Sequence, residues 1–127
     1  MTAVIIDFHT HAFEDSLAAK AIPFLEEEGQ VKAATDGRAA SLLASMDRAG
    51  IDRSVVCPIA TKPSHFEGIR RWARAVRLAQ PRLEMLLSIH PDDPDALAHA
   101  DETAADGFKG LKFHPYYQKF VLDDERM

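Results

Sequence analysis

Two histidines separated by one residue close an apolar run near the start of the chain, in Val4-Ile5-Ile6-Asp7-Phe8-His9-Thr10-His11. On an extended strand residues i and i+2 project to the same side, so His9 and His11 aim two imidazoles into one space at the strand's carboxyl end. Imidazole is the commonest protein metal ligand, and two on one rigid element fix two corners of a coordination shell. An isolated pair at this spacing serves as readily as loop histidines that cap a helix or bond a carbonyl. The metal reading draws its weight from the rest of the chain.

Two later strand-like segments end in the same way. Ser88 and His90 share a parity in Leu87-Ser88-Ile89-His90-Pro91, as do Lys112 and His114 in Gly110-Leu111-Lys112-Phe113-His114-Pro115, and as do Asp7 and His9 in the first segment. The opposite faces hold Ile6, Phe8, Leu87, Ile89, Leu111 and Phe113, which suits surfaces covered by helices. The carboxyl ends of parallel strands are where α/β enzymes place their chemistry. Each residue also has a plain structural role open to it. His90 and His114 precede prolines and sit in extended turns, where either can bond a nearby carbonyl. His114 reads as an active-site residue, a substrate contact rather than a ligand. Lys112 reads first as an ion-pair donor, second as a holder of a substrate carboxylate, and last as a carbamate bridging two metals. His65, at a helix start, and His99, mid-helix among alanines and acids, read as solvated. Trp72 with Arg70, Arg71, Arg74 and Arg77 reads as a solvated helix face carrying one packing aromatic.

The elements that would position these residues alternate. Val4 to His9 reads as a buried strand. Ser16 to Glu28 has helical composition interrupted by Pro23, which predicts a short helix, a kink and a long surface loop reaching about Lys32. Gly37 to Ala49 reads as a helix capped by Gly50. Arg53 to Ile59 is a second strand. Ser64 with Glu67 has the capping-box pattern and opens a helix bearing Phe66, Ile69, Ala73 and Val76, closed before Pro81. Leu83 to Ile89 is a third strand, Asp93-Pro94 starts a helix ending at Gly107, and Phe108 to His114 is a fourth strand. This alternation predicts right-handed βαβ units and a parallel sheet, in one domain over residues 1–127.

Composition sets limits. With 127 residues, 46% of them apolar, the chain can bury a core. The net charge of −5 with interspersed signs gives no basic stripe for nucleic acid. The lone Cys57 excludes an internal disulfide framework. No apolar run reaches the ~20 residues of a membrane span, and the start lacks a secretory pattern, so the expected location is the cytoplasm.

Together these residues resemble the amidohydrolase superfamily. Ile6-Asp7-Phe8-His9-Thr10-His11 looks like its metal-binding opening. Gly107-Phe108-Lys109-Gly110-Leu111-Lys112-Phe113-His114-Pro115 with Gln118, and Ala49-Gly50-Ile51-Asp52-Arg53-Ser54-Val55-Val56, look like the amidohydrolase-related branch that includes aminocarboxymuconate-semialdehyde decarboxylase-like enzymes. The resemblance implies an eight-stranded (β/α) barrel, of which this chain supplies the N-terminal half, about four β/α units, ending before the fifth strand. It implies a divalent metal, zinc first and manganese as the alternative, held by His9 and His11. Further ligands and an aspartate proton shuttle would come from later strands. The implied activity is metal-dependent hydrolysis of an amide, lactone or similar bond in a small molecule. The alternatives are non-oxidative decarboxylation of a small carboxylic acid, or an inactive half-barrel that serves as an assembly subunit. A half-barrel leaves strand edges unpaired, and two copies pairing edge to edge would form a homo-oligomer. The acidic Asp123-Asp124-Glu125, typical of a first helical turn, marks an element announced but not delivered, as expected of part of a longer enzyme.

Overall fold

The computed structural model describes residues 3–127. These form an α/β chain in the order β1 (Ile6–Thr10), α1 (Asp15–Gly29), α2 (Ala39–Ala49), β2 (Arg53–Val56), α3 (Phe66–Ala79), β3 (Leu83–Met85), α4 (Ala96–Ala105) and α5 (Pro115–Gln118). The chain divides into two compact units, Met1–Val56 and Cys57–Met127, with the boundary inside the predicted second strand. No helix among the described residues is long and apolar enough to cross a membrane.

In the first unit β1 pairs with β2 in parallel, Ile6 opposite Arg53, Asp7 opposite Ser54 and Thr10 opposite Val56. Between the last two pairs β1 advances one residue more than β2, which is a bulge. The chain reaches this ladder through a clamp. Asp52 Oδ2 accepts from the Ile5 amide at 2.7 Å, while the Ile5 carbonyl accepts from the Asp52 and Arg53 amides at 3.0 and 3.3 Å. These side-chain and lead-in bonds place the strand start at Ile6 rather than Val4. At the other end the Thr10 hydroxyl donates to the Val55 carbonyl at 2.8 Å.

The expected burial of β1 is not realised. Ile6 is 51% and Phe8 77% exposed, whereas Ser54, Val55 and Val56 of β2 are buried. A continuously apolar strand is one suited to being covered on both faces, but burial needs a packed layer, and these two side chains meet solvent.

α1 also departs from expectation. It runs unbroken for 15 residues with Pro23 inside, in place of a short helix, kink and loop. Proline removes one amide bond and crowds the carbonyl four residues back. The surrounding Leu, Ala and Glu residues favour the helix, Ala18 anchors it in the core, and the C-terminus is firmly closed. There Gln30 adopts φ 50°, its backbone amide reaching the Glu26 carbonyl and its side chain donating to the Glu27 carbonyl at 2.7 Å. Gly37, at φ +78°, accepts through its carbonyl from the Phe13 amide at 2.8 Å. α2 then runs to Ala49, and Gly50 at φ +68° caps it as the sequence predicts.

In the second unit α3 follows a 3₁₀ turn at Pro63–His65 and buries Phe66, Ala73 and Val76. The capping box does not form, because Ser64 lies within that turn and His65 holds the cap position without a side-chain bond. β3 is shorter than predicted, yet the chain stays buried through Leu87, Ser88, Ile89 and His90. α4 starts at Ala96, not at Pro94, because Asp93 folds a turn of its own. Its Oδ1 accepts from the Asp95 amide at 3.0 Å and its carbonyl from the Ala96 amide at 3.2 Å. Gly107 at φ +75° ends the segment as expected.

The predicted fourth strand is reduced to a single parallel bridge, Leu87 with Leu111. Its two rungs are Leu87 N–H to Gly110 O at 3.2 Å and Lys112 N–H to Leu87 O at 2.7 Å. The next parallel rungs would join Ile89 N–H to Lys112 O and His114 N–H to Ile89 O. Side chains intercept all of these except the Ile89 amide. The Ser88 hydroxyl donates to the Lys112 carbonyl at 2.7 Å. The Gln118 carboxamide donates to the Ile89 carbonyl at 2.9 Å and accepts from the His114 amide at 2.7 Å. The ladder is thus prised open at its carboxyl end by a serine and a glutamine, both fully buried.

Candidate functional site

His9 is the fourth residue of β1, and His11 follows directly after the strand. Their ring centroids lie 5.0 Å apart with an interplanar angle of 63°. The shared orientation expected from i, i+2 spacing is therefore present, and both residues are exposed. The bulge lies between Asp7 and Thr10, so Asp7 does not keep simple alternation with His9. The Asp7 carboxylate instead accepts from the His9 backbone amide at 3.2 Å. Opposite Asp7, Ser54 is buried and its hydroxyl has no hydrogen-bond partner, a feature that composition gave no means of finding.

Lys112 and His114 belong to the second unit and are held by the opened ladder. Both backbone groups of Lys112 are engaged, its amide by Leu87 and its carbonyl by Ser88. His114 has extended dihedrals, φ −136° and ψ 100°, as expected before proline. Its Nδ1 accepts from the Tyr117 amide at 3.4 Å and so caps α5. A ring that accepts at Nδ1 carries its proton on Nε2 when neutral, which makes it a donor rather than a metal ligand at that atom. His90 has the same arrangement. It is 8% exposed, with Nδ1 accepting from the Asp92 amide at 3.1 Å.

Gln118 binds the opened segment together. Beyond Ile89 and His114, its carboxamide donates to the Ala60 carbonyl at 2.9 Å, and the Ala60 amide donates to Ser88 Oγ at 3.0 Å. Sequence reasoning noted Gln118 but gave it no structural task; a glutamine three residues after a proline gives no signal of a long-range bridge.

His65 and His99 are not the solvated histidines expected. His65 is half-buried, with Nδ1 3.4 Å from Thr61 Oγ1, and burial, then Lys62 and His90, push its pKa down. The His99 side chain is only 17% exposed. Its ring stacks on Phe66 at 3.9 Å, and its Nδ1 lies 2.8 Å from the buried Asp93 carboxylate.

The arginine face of α3 is likewise engaged rather than merely solvated. Arg70 pairs with Glu67, Glu102 and Asp106, and Arg74 with Asp106 at 2.5 Å. Arg77 lies 4.3 Å above the Phe108 ring. The Arg70 and Arg74 guanidiniums hold the Asp106 carboxyl far below the usual carboxylate range.

Among the described residues, the His9–His11 pair is not joined by a third His, Cys or carboxylate within ligand distance. One three-residue grouping does exist elsewhere, at Glu67, His99 and Glu102. No family model, curated protein or solved structure matches the chain.

Proposed function

We propose that this chain carries the metal-holding part of an amidohydrolase-type hydrolase, with His9 and His11 as ligands. The observation that supports it is the side-by-side placement of the two rings, 5.0 Å apart on one strand end. The donor set suits a borderline divalent ion such as zinc, with manganese as the alternative. When bound, such an ion supplies Lewis acidity and lowers the pKa of a coordinated water towards ~7. The chain's own residues do the rest of the work assigned here. His9 and His11 hold the ion from one rigid element. The candidate substrate contacts His114 and Lys112 lie in the second unit, where His114, accepting at Nδ1, offers Nε2 as a donor when neutral.

Two imidazoles alone leave a coordination shell unfinished, and this favours a second statement about the isolated 127-residue chain: it binds metal weakly and lacks turnover. The test measures zinc binding and p-nitrophenyl acetate hydrolysis by the chain and by His9→Ala and His11→Ala. Weak zinc binding that either substitution reduces, with hydrolysis at the buffer rate, supports the reading. Zinc binding indifferent to both histidines overturns the ligand assignment. A metal-dependent rate abolished by His9→Ala overturns the inactivity of the isolated chain.

A further inference from the structure

A second constellation lies in the other unit, on α3 and α4, and the His9–His11 reading does not use it. Ligand atoms of Glu67, His99 and Glu102 all lie within 4.8 Å of one another. Spacing of this order lets three side chains close on one ion with small rotamer changes. What separates this group from an ordinary surface cluster is the state of His99. Its Nδ1 faces the Asp93 carboxylate, which can only accept, so Nδ1 carries a proton and the neutral ring presents its lone pair at Nε2. That is the reverse of His90 and His114, whose Nδ1 atoms accept from backbone amides.

A carboxylate behind one imidazole nitrogen, leaving the other as a base, is the arrangement that orients histidines towards metals. Asp93 is well placed for the task. Its side chain is 3% exposed, and its second oxygen is fixed by the Asp95 amide at 3.0 Å. Phe66 stacks on the same ring at an interplanar angle of 16°, which removes the remaining rotational freedom. Building this orientation fixes two side chains and buries a carboxylate, more than a solvated helix histidine requires.

Arg70 is the competing cation. Its Nη1 contacts Glu67 Oε1 at 3.3 Å and also Glu102 Oε2, while its Nε contacts Asp106 at 2.7 Å. Each glutamate has a second oxygen beyond the one on Arg70. Across the cluster the carboxylates of Glu67, Asp93, Glu102 and Asp106 outnumber the guanidiniums of Arg70 and Arg74. The cluster therefore retains net negative charge for a further cation.

We propose that Glu67, His99 and Glu102 form a divalent-cation site for a borderline ion of the zinc type, oriented by Asp93 and opposed by Arg70. One nitrogen and two carboxylate oxygens suit such an ion better than a hard, all-oxygen one.

The test uses zinc alone as the probe and a His9→Ala/His11→Ala double variant as the background, so that failure of the first site leaves this one measurable. Calorimetric titration of that background is expected to show one zinc per chain. Adding Glu102→Gln should weaken binding at least about tenfold, by loss of a ligand oxygen. Adding Asp93→Asn should weaken it about 10–100-fold, the usual loss when a ligand's orienting carboxylate is removed. Adding Arg70→Gln should tighten it, because the competing cation is gone; circular dichroism checks that each variant is folded. An Arg70-centred ion-pair cluster with no metal role predicts no saturable binding in the background variant. That result, or binding equal in the background and in folded Glu102→Gln, overturns the proposal.

Discussion

Replacing Gln118 by leucine tests the most connected side chain in the second unit. Gln118 is fully buried, and its carboxamide serves the Ala60 and Ile89 carbonyls and the His114 amide, at 2.9, 2.9 and 2.7 Å. Leucine keeps much of the volume and removes all three bonds. A buried polar group left without its partner costs about 1–3 kcal/mol. Three such losses, softened by the apolar gain of leucine and by carbonyls that tolerate underbonding better than amides, come to about 3–6 kcal/mol. That is a large share of the 5–15 kcal/mol typical of a whole domain. With a urea slope of about 1–2 kcal/mol/M for a chain this small, the unfolding midpoint should fall by roughly 1.5–6 M, which at the upper end leaves the variant unfolded in buffer. Urea titration followed by circular dichroism reads the midpoint, and hydrogen exchange reads the His114 amide, which should lose its protection. A folded variant with a stability loss below 1 kcal/mol and a still-protected His114 amide would refute the reasoning, because the glutamine could not then be replacing ladder rungs.

Gly37→Ala and Gly50→Ala separate backbone strain from crowding. Both glycines have positive φ, but a Cβ at Gly37 would lie 2.8 Å from Ile22 whereas one at Gly50 meets nothing within 4 Å. Gly50→Ala should cost about 1 kcal/mol from strain alone and Gly37→Ala roughly 1–3 kcal/mol more; equal losses in thermal melts would mean that Ile22 moves aside freely. The depressed pKa of His65 gives a pH prediction. Folding disfavours its charged form, so the unfolded chain binds more protons, and stability rises with pH between the folded value and the ordinary 6.5. That contribution is complete above 6.5 and is lost as pH falls through the folded pKa. His65→Asn should flatten this acid limb in urea titrations run from pH 5 to 7.5, and a variant profile parallel to the parent's would count against the burial explanation.

Much of the architecture was legible because it depends on local chemistry. Gly50 needed only the steric freedom of glycine at a left-handed position to be recognised as the cap of α2. The apolar spacing of Phe66, Ala73 and Val76 sufficed to identify the buried side of α3. Likewise, the i, i+2 rule anticipated the shared orientation of His9 and His11. Residues whose role depends on a distant partner were not legible. His99 looked solvated among alanines and acids because Asp93 and Phe66 reach it only through folding. Likewise, the arginines of α3 looked like a wetted face until Glu102 and Asp106 were brought against them.

The difference is one of range. Backbone sterics and side-chain periodicity act within a few residues, so the sequence alone determined the alternating α/β order, the glycine caps and the pairing of two imidazoles. Hydrogen bonds are satisfied by whichever donors and acceptors the fold brings within reach, from anywhere along the chain. Tertiary structure therefore decided that Ser88 and Gln118 take the bonds of a fourth strand, that β1 keeps Ile6 and Phe8 in water, and that His99 is set by a buried carboxylate.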